Sequence, residues 1–198
     1  MKPPATRVFL VRHADASEGD RDAGRGRHLT EIGRRQAAAL AHRLAPWKVD
    51  AILCSDMFRA EETARAVRSH HAQADFIVDA TFRELSASLV EEQLDAPDGV
   101  LRTRLEAAWQ AILTMPYPTS VVVTHNGLIK YLIGRAIRFQ GELKPRFHSS
   151  HTGITGLAVE PEGKARIQFF NDTRHLTSEL VVDPKTWLEG AATVRGHS

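Results

Sequence analysis

Cysteine is nearly absent: Cys54 stands alone in 198 residues. An internal disulfide is therefore excluded. With no signal-like start either, a reducing cytoplasm is the expected compartment. Long apolar runs are missing too. None approaches the roughly 18 residues needed to span a bilayer, so no membrane partner is expected. Net charge is almost nil, with 26 Lys plus Arg against 24 Asp plus Glu. No long basic run or aromatic-plus-basic stripe is present, so nucleic acid is not an expected partner. Arg21, Arg25, Arg27 and His28 do cluster, but Glu18, Asp20 and Asp22 share that stretch, which reads as a solvated, mobile loop. Repeats, low-complexity tracts and linkers are absent. What remains is ordinary globular material, 42% apolar and 25% charged. Its length suits a single domain over 1–198, since a domain takes roughly 100–200 residues. The last dozen residues are expected to fray.

Apolar periodicity gives alternating elements. "RVFLV" (7–11), "VDAILCS" (49–55), "DFIVD" (75–79) and "TSVVVTH" (119–125) read as strands. Helices are expected over 29–46, with Ile32, Gln36, Ala37, Leu40, Ala41 and Leu44 on one face. Thr30 would cap this helix, and Pro46 marks its stop. Further helices are expected over 56–71 (Met57, Ala60, Ala64, Val67), 99–115 (Leu101, Leu105, Ala108, Trp109, Ile112) and 127–137. Residues 86–98 give only a weak helical signal. Residues 153–172 read as a β-hairpin turning at Pro161 to Gly163. The alternation predicts a three-layer α/β/α sandwich on a mostly parallel sheet, with an antiparallel hairpin at its end.

Ligands of open α/β sheets bind beyond the carboxyl ends of the strands. Unusual residues stand there. The first strand runs into Arg12 and His13, the second into Ser55 with Arg59 in the next turn, and the last parallel strand into His125, Asn126 and Gly127. Glu84 follows the short strand. Two guanidiniums match the geometry of a phosphoryl group and stay charged, and helix N-termini add N–H donors. Neighbouring cations keep imidazoles neutral, and a neutral imidazole nitrogen is a nucleophile. The set therefore suits a phosphoryl dianion attacked by histidine, with Glu84 as the acid for the leaving alkoxide. Ser55 reads rather as a helix cap. Cys54 and His175 read as core and structural groups. His70 and His71 point apart, and His148 with His151 lack a completing ligand, so no metal is expected.

These residues carry a resemblance. "LVRHADAS" resembles the Arg-His-Gly signature of the histidine phosphatase, or phosphoglycerate mutase-like, superfamily. "LTEIGRRQA" (29–37), "SDMFRAEETA" (55–64), "VVVTHNG" (121–127) and "FNDTRHL" (170–176) are similar to its later motifs, in the family's order. The resemblance implies that His13 becomes phosphohistidine. It implies that Arg12, Arg59 and His125 hold the phosphoryl oxygens, and that Glu84 acts as acid and then as base. No metal or organic cofactor is implied. Ser17, Asn126 and His151 are additional candidates for phosphate contact. Ala14 departs from the family glycine. Either an unusual backbone angle or mere smallness explains that glycine, and smallness is the expected reason.

The same pocket serves a phosphatase or a mutase. A mutase needs a longer cover over its substrate than the small lid expected at 86–115, and "RELSAS" stands here in place of the mutases' aromatic-containing segment. A phosphatase acting on a small phosphorylated metabolite, of the broad-specificity branch, is thus the first expectation. A protein phosphohistidine phosphatase (SixA-like), a phosphoglycerate mutase and an inactive phosphate-binding protein are the alternatives. The oligomeric state is left open between monomer and homodimer.

Overall fold

The structure is a computed structural model that describes residues 5–17, 25–85, 99–138 and 148–181. β1 (Thr6–Arg12), β2 (Ala51–Cys54), β3 (Asp75–Val78) and β4 (Thr119–Thr124) pair in parallel. β5 (Ile154–Glu160) and β6 (Lys164–Asp172) add antiparallel, completing the order β3-β2-β4-β1-β5-β6. The helices are α1 (Glu31–Leu44), α2 (Phe58–Arg68), α3 (Val100–Leu113) and α4 (Asn126–Ala136). This is the mixed α/β sandwich that the alternation predicts, with the hairpin placed as expected.

Strand alternation sends successive side chains to opposite faces, and each face carries its own helices. Val8 and Leu10 pack with Leu105, Ile112, Leu128 and Leu132 of α3 and α4. Phe9 and Val11 pack with Leu40, Leu44, Ala64 and Val67 of α1 and α2. Each fully buried Leu or Ile in these layers contributes roughly 1.5–3 kcal/mol. β4 is buried at every residue, as its unbroken Val-Val-Val requires of a strand covered on both faces.

The register brings the chemistry to one edge. Arg12 lies opposite Thr124, and Cys54 opposite Val123. The residues that follow, His13, His125 and Ser55, therefore leave the sheet side by side. Thr30 caps α1 as expected, accepting from the Gly33 amide at 2.9 Å and donating to Asp15 Oδ2 at 2.6 Å. A Cβ at Gly33 would strike the Asp15 carbonyl oxygen, so glycine lets α1 abut the exit of β1. This corrects the expected apolar face: Ile32 is 38% exposed, and Gly33 takes the buried place.

Two further expectations need correction or restriction. Residues 25–28 are pinned rather than mobile. His28 stacks on Phe58 at 4.4 Å, the Arg25 guanidinium lies 4.2 Å from the same ring, and both pair with acids of α2, Glu62 and Glu61. Residues 86–98 of the expected lid, like Arg21 of the basic cluster, fall outside the described residues. The rest of that lid is α3, whose Leu101, Leu105, Ala108, Trp109 and Ile112 are buried in the core.

Candidate active site

His13 sits at the exit of β1, its amide bound to the Thr124 carbonyl at 2.8 Å. Its Nδ1 lies 2.7 Å from the Ala14 carbonyl oxygen, which only accepts. Nδ1 therefore carries the proton and Nε2 the lone pair. The Arg59 Nε–H donates to that lone pair at 3.1 Å. Burial, then His125, Arg59 and Arg12, hold the His13 pKa well below the usual imidazole value. At neutral pH the ring is uncharged, with a nucleophilic nitrogen of fixed identity.

His125 ends β4 and is fully buried. Arg59 donates through Nη2 to its Nδ1 at 3.1 Å, so its proton lies on Nε2. That Nε2–H is buried and has no hydrogen-bond partner among the described residues. Burial, then Arg59, Arg12 and Arg104, push this imidazole well below its ordinary pKa. The two rings lie 5.0 Å apart between centroids, close enough for one anion to meet both. One guanidinium thus holds both histidines. Arg59 can do so because its helical neighbours are otherwise engaged: Glu61 pairs with Arg25 and Arg65, and Glu62 with His28. Only 7% of Arg59 is exposed.

Arg12 donates through Nη1 to His148 Nε2 at 2.8 Å and to the Ser149 carbonyl at 2.7 Å, while its buried Nε has no partner among the described residues. Burial lowers its pKa to about 10, so it stays cationic at neutral pH. An unmatched buried N–H on Arg12 and another on His125 are costly unless an acceptor meets them. Both features suit an oxyanion.

Glu84 reaches the site from the segment after β3. Its Oε1 accepts from the amides of Leu85 and Gly127, both at 2.9 Å. Burial raises its pKa, against the pull of those two amides and of Arg59 and Arg12. A carboxyl tuned upward in this way is suited to hold a proton for a leaving group. A Cβ at Gly127 would lie 2.6 Å from Glu84 Oε1, so glycine there keeps the helix start close to the acid.

A loop over residues 148–153 closes one side. Asn126 accepts the Ser149 amide at 3.0 Å, which ties its Oδ1 to this loop. Asn171, at φ 52°, accepts the Ser150 amide at 2.8 Å. Thr152 has the left-handed φ of 56°, uncommon for a β-branched residue, and its hydroxyl sits 3.0 Å from His175 Nε2. The His151 ring lies 5.6 Å from that of His13, with Nδ1 3.7 Å from Asp15. Burial, Arg12 and His148 lower its pKa to about 3.

The structure thus brings together Arg12, His13, Arg59, Glu84 and His125, with His151 beside them. Ser17 is exposed at the loop edge, its amide on the His28 carbonyl. Ser55 accepts the Met57 amide at 3.2 Å in the turn before α2, whose N-cap is Met57 and takes no side-chain bond; this corrects the capping role expected of Ser55. Ala14 is fully buried against Leu29 and Ala37 and is absent from the residues of positive φ, so the extra methyl meets no backbone strain. Sequence reasoning missed Arg104, whose guanidinium lies on three carbonyls of the Glu84 segment. Its place on the polar side of an amphipathic helix gave no signal.

Residues 8–98 and 99–173 match the family described as histidine phosphatase superfamily, branch 1. The mitochondrial serine/threonine-protein phosphatase Pgam5 of Drosophila erecta is 30% identical over 197 residues, covering 89% of this chain and 66% of that protein. The chain therefore spans about two thirds of that relative's length. The structure is similar to Bacillus stearothermophilus YhfR, with TM-score 0.71 and 24% identity over 86% of this chain and 99% of that one. It is also similar to an Entamoeba histolytica phosphoserine phosphatase solved with 3-phosphoglyceric acid, with TM-score 0.69 and 20% identity over 87% and 100%. These two likenesses concern the fold.

Proposed function

The chain belongs to the histidine phosphatase superfamily and is a phosphatase, and we propose that it hydrolyses small phosphomonoesters through a phosphohistidine on His13. The observation that carries this reading is the fixed tautomer of His13: Nδ1–H on the Ala14 carbonyl, lone pair on Nε2. Nε2 attacks phosphorus, the ester P–O bond breaks, and its electron pair stays on the leaving oxygen. Glu84 delivers a proton to that oxygen. The resulting carboxylate takes a proton from water, the water oxygen attacks phosphorus, and the N–P bond breaks with its pair returning to Nε2. Inorganic phosphate leaves, and Glu84 is protonated again.

Through both steps charge spreads over the equatorial oxygens, and positioned donors there supply most of the acceleration. Arg12, Arg59 and the Nε2–H of His125 are those donors. The Arg59 Nε–H that holds the lone pair in the structure turns to the phosphoryl oxygens when a substrate arrives. General acid catalysis by Glu84 adds about 10²–10⁴-fold. His151 and Asn126 border the anion, and Ser17 the rim. No metal or organic cofactor enters the scheme.

Small esters are preferred over a mutase reaction because the sequence runs only a short way from Glu84 to α3, and "RELSAS" stands in place of the mutases' aromatic-containing segment. A second reading comes from the fly relative, which is named a protein phosphatase. A panel of phosphorylated metabolites beside phosphoseryl, phosphothreonyl and phosphohistidyl proteins, assayed with wild type and His13→Ala, separates the two. Turnover of metabolites that vanishes in His13→Ala is the expected outcome. Turnover of phosphoproteins alone, or equal activity of both proteins, would refute the reading. We infer a cytoplasmic location from the free, buried Cys54, and a fluorescent fusion found in another compartment would overturn it.

A further inference from the structure

We propose that Arg104 is a positioning residue for Glu84, acting through the main chain and never touching the reacting atoms. The inference rests on Glu84 being the proton donor. Glu84 sits in a segment with little regular structure, one short 3₁₀ turn at 80–82 followed by extended chain. Carbonyl groups in such a segment need partners from elsewhere. Arg104 supplies them in a row. Its Nη1 donates to the Arg83 carbonyl at 2.7 Å and to the Thr81 carbonyl at 3.3 Å, and its Nη2 to the Glu84 carbonyl at 3.2 Å. The intervening Phe82 carbonyl accepts from the Thr124 hydroxyl of β4 at 2.7 Å. Every carbonyl from 81 to 84 is therefore held, three of the four by one side chain.

The choice of arginine fits this task. A planar fork with five donors reaches several acceptors at fixed angles, which a lysine ammonium does not. The guanidinium has no carboxylate hydrogen-bonded to it among the described residues, although burial lowers its pKa. Taking a cation out of water is costly, and backbone carbonyls are what it receives in return. The anchor is rigid. Arg104 lies in the second turn of α3, and the same helix buries Leu101, Leu105 and Ala108 in the core. Arg83 adds a lateral tie, two bonds of 2.7 Å to Asp56. The segment is thus fixed to the core on one side and to α2's approach on the other, and the Glu84 carboxyl stays on the Gly127 amide. Arg104 also contributes to the field that keeps His125 neutral.

The readout is the leaving group. An alkyl phosphate needs its proton from Glu84, whereas p-nitrophenolate departs without one. In Arg104→Met, kcat on glycerol 3-phosphate is expected to fall about 30-fold or more with KM changed less than threefold, since misplacement by about 1 Å costs on the order of 10²-fold. On p-nitrophenyl phosphate the loss is expected to stay several times smaller. The alkaline limb of the pH profile moves to lower pH, because a Glu84 released toward water loses the burial that raises its pKa. Arg104→Lys restores charge without the fork, and restores little of the kcat ratio.

The decisive comparison is the double variant. If Arg104 acts through Glu84, Arg104→Met adds almost nothing on glycerol 3-phosphate once Glu84→Gln is present. Equal losses on both esters in Arg104→Met, or full additivity with Glu84→Gln, overturn the proposal while leaving the phosphatase reading intact. Absence of leaving-group dependence in Glu84→Gln alone refutes the proton-donor role and the proposal with it. Should Arg104→Met fold poorly, Arg104→Lys and Arg104→Gln carry the same two comparisons.

Discussion

Acid should weaken this protein by an amount the pocket itself sets. His13 and His125 have pKa values well below the ordinary 6.5, His151 lies at about 3, and burial holds His175, beside Thr152, at about 4. In the unfolded chain each takes a proton near 6.5; in the folded chain none does until far lower. The unfolded state therefore binds more protons below pH 6.5, and stability falls as pH falls through that value. Each such group contributes a slope of about 1.4 kcal/mol per pH unit. Because the unfolded imidazoles are only half protonated at pH 6.5, the four together remove about 5 kcal/mol between pH 7.5 and 5.5. Glu84 works in the opposite sense: its raised pKa is unfavourable above the ordinary carboxyl value, and relief of that cost on acidification offsets part of the loss. For a chain of this size 1 kcal/mol corresponds to about 2–4 °C, so Tm should drop by about 10 °C between pH 7.5 and 5.5. Differential scanning calorimetry on wild type and on His125→Gln measures it. The variant, lacking one of the four imidazoles, should lose about a quarter of the pH dependence. A Tm unchanged between the two pH values, or a pH dependence identical in His125→Gln, would refute the assignment of buried neutral imidazoles.

Gly127→Ala places a methyl 2.6 Å from Glu84 Oε1; kcat on an alkyl phosphate should fall by about 10²-fold, with a much smaller loss on p-nitrophenyl phosphate. The same methyl would meet the Leu85 Cβ and carbonyl at 3.0 and 3.1 Å, so Tm should fall by a few degrees, and a matched loss on both substrates would contradict the role given to Glu84. Ala14→Gly should lower stability by about 1 kcal/mol through lost packing and a freer unfolded chain while leaving kcat within about twofold, as urea titration and steady-state kinetics would report. A large gain in kcat would mean that the methyl obstructs the site after all.

Much of this was legible before any coordinates. Val8, Leu10, Val121 and Val123 announce strands buried on both faces, and Arg12, His13 and His125 at the ends of such strands have no packing reason to be there. Thr30 and Gly33 mark the start of α1. What the residues did not announce depends on contacts distant in sequence. Ile32 fits a helical stripe as well as its neighbours do, and only the close approach of Asp15 to Gly33 turns it outward. Arg25 and His28 look like a solvated basic cluster until Phe58, Glu61 and Glu62 are seen beneath them. Arg104 is one more charged residue on a helix until the carbonyls of 81, 83 and 84 meet it. Periodicity reports which face of an element is apolar, and is silent on which polar side chain folds back over a neighbouring loop.

The central claim is that Nε2 of His13 takes the phosphoryl group. Rapid acid-free quenching of wild type with a ³²P-labelled phosphomonoester, followed by peptide mass spectrometry, tests it most directly. The account predicts acid-labile, alkali-stable label on the peptide containing His13, attached at Nε2, accumulating in Glu84→Gln with a good leaving group and absent in His13→Ala. Label on another residue, or turnover by wild type with no protein-bound phosphate at any time, would contradict it.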